Sequence, residues 1–168
     1  MMYAKALFIF LLTYSSLLLP SKVSASESSS GAAQVDSIAE FKALLAANKG
    51  RVVYVDFWAS WCIPCKQSFA WMNDMQKKYQ QQDLVIVAVN LDVKRSMANE
   101  FIQQHPVDFS ILYDPQGRLA KQFKLKGMPS SFIFDRSGKL VQAHTGFFTE
   151  QQDQYEANVV AVLNNQSD

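Results

Sequence analysis

The sequence predicts an α/β fold, a mixed central β-sheet flanked by helices on both faces, and three observations carry the prediction. Val52 to Trp58 and Leu84 to Leu91 are dense in β-branched and aromatic residues and apolar at nearly every position, as in central strands covered on both sides. These runs alternate with segments whose apolar residues recur every three or four positions. Near the end, Ser131 to Phe134 and Leu140 to Ala143 form two strands joined across Arg136-Ser137-Gly138, a hairpin signal. Alternation first and a hairpin last give a mixed sheet with helices on both faces.

The chain begins with Lys5, an uncharged run from Ala6 to Leu19, then Pro20 and Val23-Ser24-Ala25. This pattern predicts a secretory signal over residues 1–25 with cleavage near Ala25. Residues 6–19 fall short of the roughly 20 needed to cross a bilayer, so a membrane anchor over them is the weaker reading. Residues 26–35 are Ser-rich without apolar periodicity and are expected to form a flexible leader. The domain is expected over 36–165.

Within it, Ser37-Ile38-Ala39-Glu40 has the form of a capping box, and Ile38, Phe41, Leu44 and Leu45 set a helix running to about Asn48. A second helix is predicted over Lys66 to Gln82, with Phe69, Met72, Met75 and Tyr79 on one stripe. Ser96 to Gln104 predicts a third, stopped by His105-Pro106. Phe109 to Leu112 is a short strand, Asp114-Pro115-Gln116-Gly117 its turn, and Arg118 to Phe123 a helical turn. Thr149-x-x-Gln152 is expected to cap a last helix carrying Tyr155, Val159, Val162 and Leu163.

With 168 residues, 49% of them hydrophobic, the chain suffices for one domain with a real core. The formal charge is +1, and losing Lys5 and Lys22 with the signal leaves 14 basic against 15 acidic residues, a mature charge of −1. No basic stripe points to nucleic acid.

Both cysteines lie in Cys62-Ile63-Pro64-Cys65, between a buried strand and a helix. That context turns a common tetrapeptide into a candidate redox site. Export places thiols in an oxidising setting, and a loop this short removes too little unfolded-state entropy to serve as a staple. A thiolate at a helix start is stabilised by free N–H groups and the helix dipole, so Cys62 is expected to be the exposed attacking sulfur. Cys65, one turn further in, is expected to be buried and to resolve the mixed disulfide. Pro64 lacks an N–H at no penalty in a first helical turn. Asp56 interrupts its strand: either it faces the sheet edge and solvent, or it lies behind the cysteines, where burial would raise its pKa and let it accept the Cys65 proton.

Val55 to Lys66 (Val-Asp-Phe-Trp-Ala-Ser-Trp-Cys-Ile-Pro-Cys-Lys) resembles the active-site signature of thioredoxin, and Gly127 to Lys139 resembles the segment carrying that fold's cis-proline. The span from Asp36 to Leu163 resembles the exported TlpA/ResA-like branch, because the stretch between Leu91 and Met128 is long enough for that branch's extra helix and strand. The resemblance implies a thioredoxin-like fold, a cis Met128-Pro129 bond packed against the cysteines, and a Met128 backbone free to bind a substrate chain beside Trp61, Ile63 and Pro64. It also implies Asp56 as the buried proton acceptor. Two departures stand out: Ser68 occupies the position of that branch's usual glutamate and Ala70 that of its usual proline. Thioredoxin pairs its aspartate with a lysine on the neighbouring strand, and Val89 is the nearest equivalent here.

The expected function is an extracytoplasmic, periplasmic or similar, thiol–disulfide oxidoreductase. It would act as a reductase on protein disulfides or cysteine pairs, with the cysteine pair of apocytochrome c as one client. Such a reductase needs a membrane thiol electron donor, no cofactor beyond its own disulfide, and works as a monomer. The alternatives are a disulfide oxidase or isomerase, or a binding and chaperone module on the same scaffold. Zinc would need four ligands, whereas the mature chain offers two cysteines, His105 and His144, read as surface or loop residues. Covalent haem needs histidine where Lys66 stands. Trp58 is expected beneath the active-site loop, Trp61 exposed beside Cys62, and Trp71 semi-buried.

Overall fold

The computed structural model describes residues 36–165; the predicted signal and leader lie outside them. The elements run α1 (Ser37–Ala47), β1 (Val52–Trp58), α2 (Ile63–Tyr79), β2 (Leu84–Asn90), α3 (Arg95–Gln104), β3 (Ser110–Tyr113), α4 (Arg118–Gln122), β4 (Ser130–Phe134), β5 (Leu140–Thr145) and α5 (Gln152–Asn164). One sheet holds the strands in the order β3-β2-β1-β4-β5. β1, β2 and β3 are parallel, while β4 and β5 run antiparallel.

β1 is central, and all seven of its residues are buried because both faces are covered. On one face Val53, Val55 and Phe57 join Val87, Val89, Leu112, Phe132 and Phe134 under Phe41 of α1 and Leu119 of α4. On the other, Tyr54 and Trp58 meet the α2 stripe Phe69, Met72, Met75 and Tyr79, Phe101 of α3, and Tyr155, Val159 and Leu163 of α5. Trp58 sits edge-on to Phe69 at 4.6 Å, so the expected place beneath the active-site loop is a packed aromatic cluster. Trp71 is fully packed against Tyr54 and Phe147 rather than semi-buried.

The helix ends depart from the sequence reading. The cap of α1 is Asp36, whose carboxylate accepts from Ala39 N–H at 3.2 Å. Ser37 is instead inside the helix, where its hydroxyl donates to Asp114 at 2.7 Å. α2 begins at Ile63, three residues before the predicted start, because Pro64 fits a first turn that needs no N–H there, and it gives way to a 3-10 turn over Gln80–Gln82. Thr149 opens a 3-10 turn rather than capping α5.

Asp114 does more than make a turn. Its buried carboxylate accepts from Ser37 Oγ, from Arg118 N–H at 2.9 Å and from Ala120 N–H at 3.0 Å, fastening α1 and α4 to the end of β3. Gly117 enters α4 at φ +64°, a conformation in which a side chain would be strained. Asp114→Ala leaves three donors without their acceptor and is expected to lower stability by about 3 kcal/mol, read as a lower urea midpoint at unchanged slope.

Candidate active site

The apolar run of β1 ends at Trp58, and the chain turns through Ala59, Ser60 and Trp61 into α2. Cys62 is the N-cap of α2, in extended conformation, so its sulfur lies at the positive end of the helix dipole. Cys62 and Cys65 form a disulfide with their Cα atoms 5.3 Å apart. Cys65 is 0% exposed, as expected of the inner cysteine, whereas Cys62, expected to be exposed, is only 5% exposed and is nearly covered in this oxidised state. What stands out of the surface is its surroundings: Trp61 is 65% exposed and Ile63 77%. A sulfur tied into a ring at the first helical turn is shielded by its neighbours, which become the contact surface.

The loop before Cys62 is held by residues for which no role was expected. Asp92 accepts from the Ser60 N–H at 3.0 Å and the Ser60 hydroxyl at 3.0 Å, and Asn90 Nδ2 donates to it at 2.8 Å. Leu91 N–H donates to the Trp58 carbonyl at 2.9 Å. The segment after β2 therefore fixes the approach to the attacking cysteine. Its only signal in sequence was two polar residues, Asn90 and Asp92, closing an apolar strand.

Asp56 lies on the central strand, 1% exposed, on the face that α2 covers, which removes the solvent-facing alternative. Its register partner on β2 is Ala88; Val89 pairs with Phe57 in the other core layer and cannot be the counterpart of thioredoxin's lysine. On β4 its partner is Ser131, whose hydroxyl donates to Asp56 Oδ1 at 2.5 Å. Asp56 Oδ2 is buried without a partner. Burial pushes the Asp56 pKa up from 3.8 to about 7, with the Ser131 and Ser68 hydroxyls pulling against it. Ser68 itself donates to the Cys65 carbonyl at 3.0 Å. Tyr54 is driven well above its usual range by burial, and further by the Asp56 charge.

Met128-Pro129 is a cis peptide. Met128 packs against the core cluster that contains both cysteines. The Pro129 carbonyl is occupied by Gly146 N–H at 2.7 Å, which holds the loop flat against the end of β5. Trp61, the first turn of α2 with Ile63 and Pro64, and the Met128-Pro129 loop thus lie at one end of the sheet, the end where Cys62 opens. His144 corrects the reading of a surface residue: it stacks on Tyr155 at 4.6 Å with Tyr54 at 6.5 Å, and burial lowers its pKa. Among the described residues no group of three or more His, Cys, Asp or Glu could hold a metal ion.

Residues 40–163 match the family model described as Redoxin. The thiol-disulfide oxidoreductase ResA of Bacillus thuringiensis subsp. konkukian (strain 97-27) is 31% identical over 104 residues, 62% of this chain. The match spans only 60% of that relative's own length. Among solved structures, a candidate thiol:disulfide interchange protein DsbE from Chlorobium tepidum superposes with a TM-score of 0.70 at 46% identity, over 71% of this chain and 85% of that one. The pneumococcal exposed lipoprotein thioredoxin Etrx1 from Streptococcus pneumoniae strain TIGR4 gives 0.62 at 26%, over 70% and 89%. The fold is therefore thioredoxin-like, of the ResA/TlpA-like branch.

Proposed function

The chain belongs to the Redoxin family, and on that premise we propose that it is an extracytoplasmic thiol–disulfide oxidoreductase that reduces protein disulfides. The observation that carries the reading is the Cys62–Cys65 pair at the mouth of α2 with a buried carboxyl of raised pKa on the strand behind it. In the reduced protein the Cys62 thiolate attacks a client disulfide, one client sulfur leaves as thiolate, and a mixed disulfide forms. Cys65 then passes its proton to Asp56 and attacks Cys62 Sγ, releasing the second client sulfur. The client gains two electrons and two protons, and the pair closes. Trp61, Ile63 and Pro64, with the Met128 backbone beside cis-Pro129, form the surface on which an extended client segment lies. A membrane thiol donor reopens the pair.

The names of the relatives support the chemistry, and the exposed-lipoprotein neighbour supports a place outside the cytoplasm. Ile63-Pro64 puts no charge between the cysteines, which favours a reductant. The apocytochrome c cysteine pair is the client class that the ResA-like resemblance offers. Equilibration with a graded series of reduced and oxidised glutathione tests the direction: a reductase stays half-oxidised only in strongly reducing mixtures, each 30 mV being about 1.4 kcal/mol. Equilibrium in oxidising mixtures would make it an oxidase, and no equilibrium at all would leave only a binding scaffold.

A further inference from the structure

Asp56 is sealed from solvent, yet the proposed reaction loads it with a proton, which raises the question of how that proton leaves. Asp56 on β1 is opposite Ser131 on β4, and Ser131 is opposite His144 on β5. Directly opposed residues of antiparallel strands put their side chains on one face with Cβ atoms about 4.5–5.5 Å apart. The three therefore form a polar row from the middle of the sheet to its edge, since β5 is the outermost strand. The inner link is made: Ser131 Oγ donates to Asp56 Oδ1 at 2.5 Å. At the outer end His144 Nε2 is buried without a partner, so the link from Ser131 to the imidazole is not closed in this oxidised state, and Asp56 Oδ2 is likewise unpartnered at the inner end. His144 as a whole is only half-buried. An imidazole with one nitrogen turned inward and its ring near solvent takes a proton on one side and releases one on the other.

Resting on the function proposed above, we infer that Ser131 and His144 form the exit by which the proton taken up by Asp56 reaches solvent. Once the imidazole turns onto Ser131, the proton moves from the Asp56 carboxyl to Ser131 Oγ as the Ser131 hydroxyl proton passes to the imidazole. The imidazolium then loses its other proton to water, so every group regains its starting charge, and a turn of the ring restores the starting tautomer. Ser131 and His144 are positioning residues, since neither touches the reacting sulfurs. The groups facing the imidazole are Tyr54 and Asp56 from β1, Ser131 from β4 and Tyr155 from α5. None of the other neighbours links Asp56 to the edge of the sheet.

The exit is tested directly by a pH jump on the oxidised protein, following the Asp56 carboxyl by time-resolved infrared absorption, with Asp56→Asn identifying the band. His144→Phe, which keeps the stack on Tyr155, is expected to slow the relaxation at least about tenfold, and added imidazole to restore it. Ser131→Ala is expected to do the same and Ser131→Thr, which keeps a hydroxyl, to relax as the wild type. His144→Gln, polar but unable to shuttle, provides a second variant should the phenylalanine perturb folding. Wild-type relaxation in His144→Phe or His144→Gln would overturn the exit. The dithiol reading is tested apart from it: Cys62 in the reduced wild type should release thiolate from an aromatic disulfide reagent, and a failure to do so would overturn that reading and the purpose of the relay with it.

Discussion

Replacing Cys62 with serine is expected to abolish catalysed reduction of insulin in dithiothreitol, leaving the rate of dithiothreitol alone. Cys62 is the sulfur at the N-cap of α2 and the less covered of the two, so no other group can open the client disulfide. Cys65→Ser should behave differently. Attack by Cys62 survives while resolution does not, so a covalent adduct of protein and client should accumulate, visible by mass under non-reducing conditions and dispersed by excess thiol. The two variants separate the roles, because Cys65 is fully buried and can reach only its neighbour. Adduct formation by Cys62→Ser, or equal residual activity in both variants, would reverse or remove the assignment. Since a serine hydroxyl fills nearly the same space, neither change should disturb the fold beyond the loss of a short ring.

Asp56→Asn is the second large effect, and it acts on both rate and stability. Loss of the proton acceptor should slow resolution of the mixed disulfide about a hundredfold while leaving its formation nearly unchanged. Equal slowing of both steps would remove the role. The stability effect follows from the pKa, which is about 7 in the folded protein against 3.8 ordinarily. A carboxyl whose folded pKa is raised supports the fold fully below about pH 4 and loses that support as pH climbs through about 7, because ionising it in the core is unfavourable. A shift of this size corresponds to about 4 kcal/mol at 1.36 kcal/mol per unit. The oxidised variant should therefore match the wild type in urea near pH 4 and exceed it near pH 8. A constant difference at all pH values would mean that Asp56 ionises freely in the fold.

Much of this could be read from the chain itself. The runs Val52 to Trp58 and Leu84 to Leu91 specify central strands through composition alone, and the tetrapeptide at the start of a helix carries its chemistry locally. Asp56 was legible as an anomaly, one carboxyl in an apolar run, although its side of the sheet was not. What escaped depends on pairing between distant strands. Ser131, Asp92 and His144 look ordinary in sequence and acquire their roles only through partners 75, 32 and 13 residues away. Val89 shows how sharp that dependence is, since a displacement of one residue moves a side chain to the opposite core layer. The caps were misread for a related reason: Ser37 satisfies the local pattern of a capping box, but Asp114 claims its hydroxyl from across the fold.

The Asp92 contact to Ser60 ties the link leaving β2 to the redox loop. The backbone that aims the nucleophile is therefore braced from a second strand, and whatever shifts the exit of β2 is felt at the reacting sulfur without touching either cysteine.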